Sequence, residues 1–165
     1  MVVSSSAVKS NDSADLNHFR DALRSGKAGA HAYVLLMGLR TFDIPQLLQL
    51  VAKGFPISAY DHLARNLGLR TERLLEVTDI PRRTLIRRRA EGRFSPSESD
   101  RLLRTSRLFG KALDLFEGDR EAALEWLMSS QTALGGAIPL DVAKTDVGTR
   151  EVEAVLTRLE YGVFS

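Results

Sequence analysis

The stretch Thr71-Glu72-Arg73-Leu74-Leu75-Glu76-Val77-Thr78-Asp79-Ile80-Pro81-Arg82-Arg83-Thr84-Leu85-Ile86-Arg87-Arg88-Arg89-Ala90-Glu91-Gly92 decides the fold. Thr71 is suited to cap a short helix holding Leu74 and Leu75, Thr78-Asp79-Ile80 turns the chain, and Pro81 opens a second short helix that ends near Gly92. Two short helices joined by so tight a turn have the size of a helix-turn-helix. With about 100° per residue, Leu85, Ile86 and Ala90 define the expected buried side of the second helix. Thr84, Arg87, Arg88 and Glu91 then lie opposite, and Arg83 lies on a flank. Arg82 and Arg89 fall nearer the buried side, where they are expected to fold over the core or pair with a carboxylate. In a helix-turn-helix the second helix presents its first residues to base edges and neighbouring cations to phosphates. Arg83 and Thr84 are therefore the residues expected near bases, with Arg87 and Arg88 shared between bases and phosphates. The competing reading is an ordinary solvated basic helix.

Helices are signalled on both sides of this motif. Ile44 to Lys53 reads as a helix, with Pro45 in its first turn and Gly54 at its exit. Ser58 is suited to cap a helix over 59–66 that Gly68 ends. Ser95-Pro96-Ser97-Glu98 is a capping box with proline at the first helical position. It opens a long helix whose apolar positions Leu102, Phe109, Leu113 and Phe116 follow one face. Asp119 is placed to cap a helix that turns Ala123, Trp126 and Leu127 inward, and Leu134-Gly135-Gly136 breaks the chain after it. A last helix, roughly 149–160, carries Val152, Val155, Leu156 and Leu159 at helical spacing, and Gly162 is placed to stop it. Tyr33-Val34-Leu35-Leu36-Met37 fits a helix or a short strand equally. Nothing alternates with period two over a useful length, so the expected fold is all-α.

Among 165 residues, 44% are hydrophobic and 27% charged, as in ordinary globular proteins. No apolar run approaches the length of a membrane span, and the N-terminal residues lack the pattern of a signal peptide. Cysteine is absent, which excludes disulfides and thiol chemistry and fits a cytoplasmic protein. The net charge is only +2, but between residues 65 and 107 twelve arginines stand against six carboxylates. From 108 to 165, five cations stand against ten carboxylates. A basic middle and an acidic end fit two solvated surfaces or two partners of different charge.

The central and later segments together resemble the Xre/MbcA/ParS antitoxin family. The resemblance begins near Gly38-Leu39 and rests in the centre on Gly54-Phe55-Pro56, Thr84-Leu85-Ile86-Arg87-Arg88, Gly92-Arg93-Phe94-Ser95 and Glu98-Ser99-Asp100-Arg101-Leu102. Further on it rests on Trp126-Leu127, Leu134-Gly135-Gly136, Pro139-Leu140-Asp141, Thr145, Gly148 and Leu159-Glu160-Tyr161-Gly162-Val163. Ser130-Gln131 stands where many relatives have Pro-Asn.

Residues 1–37, rich in Ser, Asn and Asp at their start and outside the resemblance, are expected to be mobile or weakly structured. The resemblance implies a helix-turn-helix DNA-binding and dimerisation domain over 38–107. A toxin-binding domain would follow over 108–165. It implies a type II antitoxin that represses its own operon as a homodimer and blocks the active site of a RES-domain toxin, an NAD-consuming enzyme. Arg158, Tyr161, Gly162, Val163, Phe164 and Ser165 are the residues it places against the toxin. An acidic domain suits a cleft that handles a pyrophosphate, and two aromatic anchors on a glycine hinge suit a slot. The competing reading is that Tyr161 and Phe164 complete the domain's own core.

A plain transcriptional regulator with no toxin partner is the alternative, and a neighbouring RES-type reading frame would separate the two. An enzyme fits poorly. His18, His31 and His62 show no ligand or acid–base spacing, and neither Gly135-Gly136 nor Gly26-Lys27-Ala28-Gly29 has the context of a phosphate loop. No cofactor and no metal is expected.

Overall fold

The computed structural model describes residues 13–26, 29–41 and 43–162. Its α-helices in chain order are α1 (Ala14–Ser25), α2 (Ile44–Lys53), α3 (Ile57–Leu67), α4 (Thr71–Thr78), α5 (Arg82–Glu91), α6 (Pro96–Leu115), α7 (Arg120–Met128), α8 (Pro139–Val142) and α9 (Asp146–Glu160). A 3-10 segment, Gly29–Met37, joins α1 to α2, and a 3-10 turn, Thr132–Leu134, precedes α8. No strand forms among the described residues, so the all-α expectation holds.

Local signals place most of these boundaries. Asp43 accepts from the Gln46 amide at the start of α2, which spans the expected residues with Pro45 in the first turn. At α6 the capping box is complete: the Glu98 amide donates to Ser95 Oγ at 3.2 Å, and the Ser95 amide donates to Glu98 Oε2 at 2.8 Å. Asp119 caps α7 through the Ala122 amide at 3.0 Å. Four starts differ from expectation. Pro56 takes the cap position of α3 in place of Ser58, Arg70 that of α4 in place of Thr71, and Pro81 that of α5, which begins at Arg82. The last helix begins at Asp146 rather than 149, because Thr145 caps it by accepting from the Gly148 amide at 3.0 Å.

The twenty-residue α6 is the spine. Leu102, Leu108, Phe109, Ala112 and Leu113 are all buried along it, and a single apolar cluster runs from Leu16 of α1 to Leu156 of α9. The expected division at 107/108 falls inside this unbroken helix, so the two halves of the chain share one backbone element and one core. Residues quoted above as separate motifs also meet. The Phe94 amide donates to the Phe55 carbonyl at 2.9 Å, and the Ile57 amide to the Gly92 carbonyl at 3.2 Å. Gly54 permits this approach: it has φ +85°, and a Cβ there would lie 1.9 Å from the Phe94 carbonyl oxygen.

The expectation of a weakly structured segment over 1–37 fails at Ala14–Ser25 and Gly29–Met37, which form helical elements. Leu16, Phe19, Val34, Leu36 and Met37 are fully buried. Gly110 lets the 3-10 segment approach α6 closely at Tyr33, since a side chain there would put its Cβ 2.8 Å from that of Tyr33. Ser106 Oγ donates to the Tyr33 carbonyl at 2.7 Å, and Arg20 Nε to the Gly118 carbonyl at 2.8 Å. On the other side, Asn66 Nδ2 donates to the Leu36 carbonyl at 2.7 Å and His62 pairs with Asp15. The Tyr33–Met37 run is neither α-helix nor strand but the 3-10 segment, which kinks at His31. Residues 1–12, part of the segment expected to be mobile, lie outside the described residues.

Candidate functional site

Two surfaces carry the functional question: the outer face of α5 and the outer face of α9. The first belongs to a helix-turn-helix made by α4, the turn 79–81 and α5. Leu74, Leu75, Val77, Ile80 and Leu85 are buried beneath it. Asp79 takes the left-handed conformation at the end of α4, with φ 52°. Thr78 Oγ1 donates back to the Leu74 carbonyl at 2.7 Å, and Arg101 Nη1 of α6 donates to the Asp79 carbonyl at 2.7 Å. The turn is thus braced from both sides, which fixes how α5 projects.

The faces of α5 are not those expected from its sequence. Leu85 is its one buried residue, while Ile86 is 63% exposed and Ala90 also faces out. Arg88, expected on the outer side, points inward, with its side chain 20% exposed. Its Nε donates to Glu98 Oε2 at 2.8 Å, its Nη2 to Glu98 Oε1 at 3.1 Å and its Nη1 to Glu91 Oε2 at 2.6 Å. The two-pronged bond to Glu98 turns the helix so that Leu85 and Arg88 define its inner side. The hydrogen bonds that Arg88 donates to Glu98 and then to Glu91 raise its pKa. Burial alone would raise that of Glu98, but the Arg88 guanidinium and the Ser95 amide outweigh it and hold the carboxyl below its usual range.

The other arginines of α5 sort by partner. Arg82 Nη2 donates to Glu72 at 2.6 Å, and Arg89 makes a two-pronged pair with Asp61 at 2.8 and 3.2 Å, both as expected of these two residues. Arg87 reaches Glu91 only at 3.9 Å. Arg83 is exposed and has no ion-pair partner among the described residues. Thr84 is half-buried beside it. The solvent-facing row is therefore Arg83, Ile86, Arg87 and Ala90, at spacings of three and four residues.

The second surface is built on α9. Val152, Val155 and Leu156 bury its inner side against α6. Ion pairs pin it there: Arg107 Nε donates to Glu153 at 2.6 Å, and Arg104 lies 3.4 Å from Asp146. Arg73 of α4 also reaches Asp141 of α8 at 2.8 Å, and that hydrogen bond holds the Asp141 carboxyl below its usual range. Part of the basic middle is thus neutralised by the acidic end inside the molecule. The outer side of α9 carries Val147, Arg150, Glu151, Ala154, Arg158 and Tyr161, all exposed. Tyr161 is 73% exposed and Val147 71%, so Tyr161 does not complete the core. Trp126 does lie against the core, half-buried. Arg158 has no ion-pair partner among the described residues, and it shares a face with Tyr161 three residues on. Gly162 follows with φ +64°. Val163, Phe164 and Ser165 lie outside the described residues. Val147 and Ala154 were not foreseen as part of this surface, although their spacing to Arg158 and Tyr161 was available.

Gln131 closes the loop that the Gly-Gly pair turns: its amide donates to the Ala137 carbonyl at 3.0 Å and its carbonyl accepts from the Gly136 amide at 2.9 Å. No cluster of three metal-ligating side chains occurs among the described residues, and no helix there is long and apolar enough to cross a membrane.

A helix-turn-helix joined through one long helix to a second helical unit with an exposed, partly apolar outer face defines a two-surface helical protein. Residues 46–107 match the family model for the antitoxin Xre-like helix-turn-helix domain, and residues 111–162 that for the antitoxin Xre/MbcA/ParS C-terminal toxin-binding domain. A protein of Yersinia enterocolitica named Antitoxin Xre is 37% identical over 120 residues, covering 72% of this chain and 81% of its own length. A protein of Photorhabdus laumondii with the same name is 29% identical over 130 residues, covering 78% of this chain and 88% of its own. The chain belongs to the Xre family of antitoxins, the neutralising components of toxin–antitoxin systems. The resemblance drawn from its motifs is thereby borne out.

Proposed function

We propose that this antitoxin neutralises a RES-type, NAD-consuming toxin by covering its active site, and that as a homodimer it represses its own operon through α5. It does no chemistry itself and needs no cofactor. The observation that carries the toxin half is Tyr161, an aromatic left 73% exposed at the end of the helix that closes the toxin-binding domain. Arg158 and Tyr161 are the anchors on the described surface, with Val147 and Ala154 widening the apolar stripe. Gly162 gives the hinge from which Val163, Phe164 and Ser165 enter the toxin's cleft. An aromatic and an arginine on one face are the side chains that most often dominate a protein interface.

The DNA half rests on Arg83 and Arg87, the cations of α5 left for phosphates and base edges, with Thr84 beside them. Arg88 acts in this half by setting the angle of α5 rather than by reaching the duplex. Exposed Ile44 and Leu48 on α2 border an apolar groove of about 610 Å³ and supply the second copy with a surface.

The experiment combines the purified product of the adjacent reading frame with this chain and follows NAD. Full-length chain is expected to stop NAD loss at equimolar ratio. A chain lacking Val163–Ser165 is expected to fold and bind DNA but to leave the toxin active. NAD loss that continues undiminished beside the full-length chain refutes the proposal, and full protection by the shortened chain refutes the part assigned to its last three residues.

A further inference from the structure

Ile86 sits bare on the outer face of α5, beside the exposed Arg83 and Arg87. It is 63% exposed, on a helix whose mean character is strongly polar, and it lies between Arg83 three residues before it and Arg87 one residue after it. Ala90, also exposed, extends the apolar strip by one turn. No described residue covers either side chain. Leu85 and Arg88 hold the inner side of α5, so Ile86 cannot turn inward without breaking the Arg88–Glu98 pair.

The surroundings say what fits there. A cationic rim around a branched apolar tip is poor for a second protein surface, because docking it would desolvate Arg83 and Arg87. The same arrangement matches the floor of a major groove, where phosphates flank both sides and the one apolar group on any base edge is the thymine C5 methyl. We infer that Ile86 is a specificity-determining residue of this antitoxin, selecting duplex sites that place a thymine methyl beneath the centre of α5. Ala90 leaves room for the base pair one turn along. This inference rests on reading α5 as the helix that enters the groove.

The test selects bound sequences from a random duplex library with the full chain, then replaces each thymine of the selected duplex by uracil, which removes only the methyl. Loss of one buried methyl contact corresponds to roughly a three- to fivefold drop in affinity. Such a drop is expected at one thymine per bound protomer. Ile86→Ala should bind the selected duplex more weakly by a similar factor, should show no further loss at that uracil, and should melt at the wild-type temperature. Equal uracil losses in both proteins at every position overturn the inference while leaving DNA binding intact. So does a lowered melting temperature for Ile86→Ala, which would place Ile86 in an interface between copies. A chain that enriches no duplex, or whose binding is indifferent to salt, overturns the DNA reading itself and this inference with it.

Discussion

α5 and α9 both lie on the surface, each with one side fixed to α6, yet they leave different things in solvent. α5 is crowded with arginines, but most are engaged: Arg82 with Glu72, Arg88 with Glu98 and Glu91, Arg89 with Asp61. What it leaves free is one unpaired cation, one loosely paired cation and an isoleucine. α9 spreads as many charged residues over fifteen positions instead of ten, with both signs mixed, and it leaves free an apolar stripe with Arg158 and Tyr161 at one end. The lesson is that summed charge says little about what a surface offers. A cation already paired within the chain must lose that partner before it can serve another, whereas an unpaired one gains on contact.

Both faces depend on the same spine, so the largest effect should come from weakening it. Leu102→Ala, at the fully buried centre of α6, is expected to cost about 2–5 kcal/mol. Thermal denaturation should remain a single transition at lower temperature, with DNA binding and toxin protection lost together. Two separated transitions would show that the faces belong to independently folding units.

Next in size is the strut that aims α5. Glu98→Gln is expected to destabilise by about 2 kcal/mol at neutral pH, because Arg88 loses a charged, two-pronged acceptor in a mostly covered site. The Glu98 carboxyl has a folded pKa below its unfolded value, so the unfolded chain binds more protons between the two. Its stabilisation is complete above the unfolded value, near pH 4 to 5, and is lost as pH falls through the folded one. The wild type minus variant difference in unfolding free energy should therefore be flat from pH 8 to about 5 and should shrink below. A difference that persists undiminished at pH 3 would show that Glu98 acts by shape rather than charge.

Smallest is the effect of a single exposed cation. Arg83→Ala should leave the melting temperature unchanged and lower the slope of log affinity for duplex against log salt by about one. An unchanged slope would remove Arg83 from the phosphate contacts.

Much of this was legible in the sequence, because caps and breakers act locally. Pro45 with Gly54 bounded α2, the Ser95–Glu98 box opened α6, and Asp119 opened α7, each within four residues of an end of the helix it governs. The faces of α5 were not legible. Its apolar residues Leu85, Ile86 and Ala90 suggest one side, but its rotation is set by Glu98, a partner on the next helix that periodicity does not register. The same capping box that announced α6 held the clue, since its glutamate lies seven residues beyond Glu91. The burial of Leu16, Phe19 and residues 32–37 was hidden for a related reason. Leu16 and Phe19 are isolated among polar residues, and the close approach of Tyr33 to α6 depends on Gly110, which has no side chain to block it. On α9 the inner row was read correctly, and the outer row was overlooked because Val147 stands in the turn before the helix was expected to begin.

The central claim is that this chain carries two separable faces, α5 for DNA and α9 with Tyr161 for the toxin. The most direct measurement takes Tyr161→Ala through both assays in one preparation, duplex affinity by fluorescence anisotropy and toxin affinity by calorimetry. The account predicts toxin affinity lowered about thirtyfold or more, as for a buried aromatic anchor of roughly 2 kcal/mol, with duplex affinity and melting temperature unchanged. Unchanged toxin affinity, or a loss of duplex binding of the same size in a protein that melts normally, would contradict it.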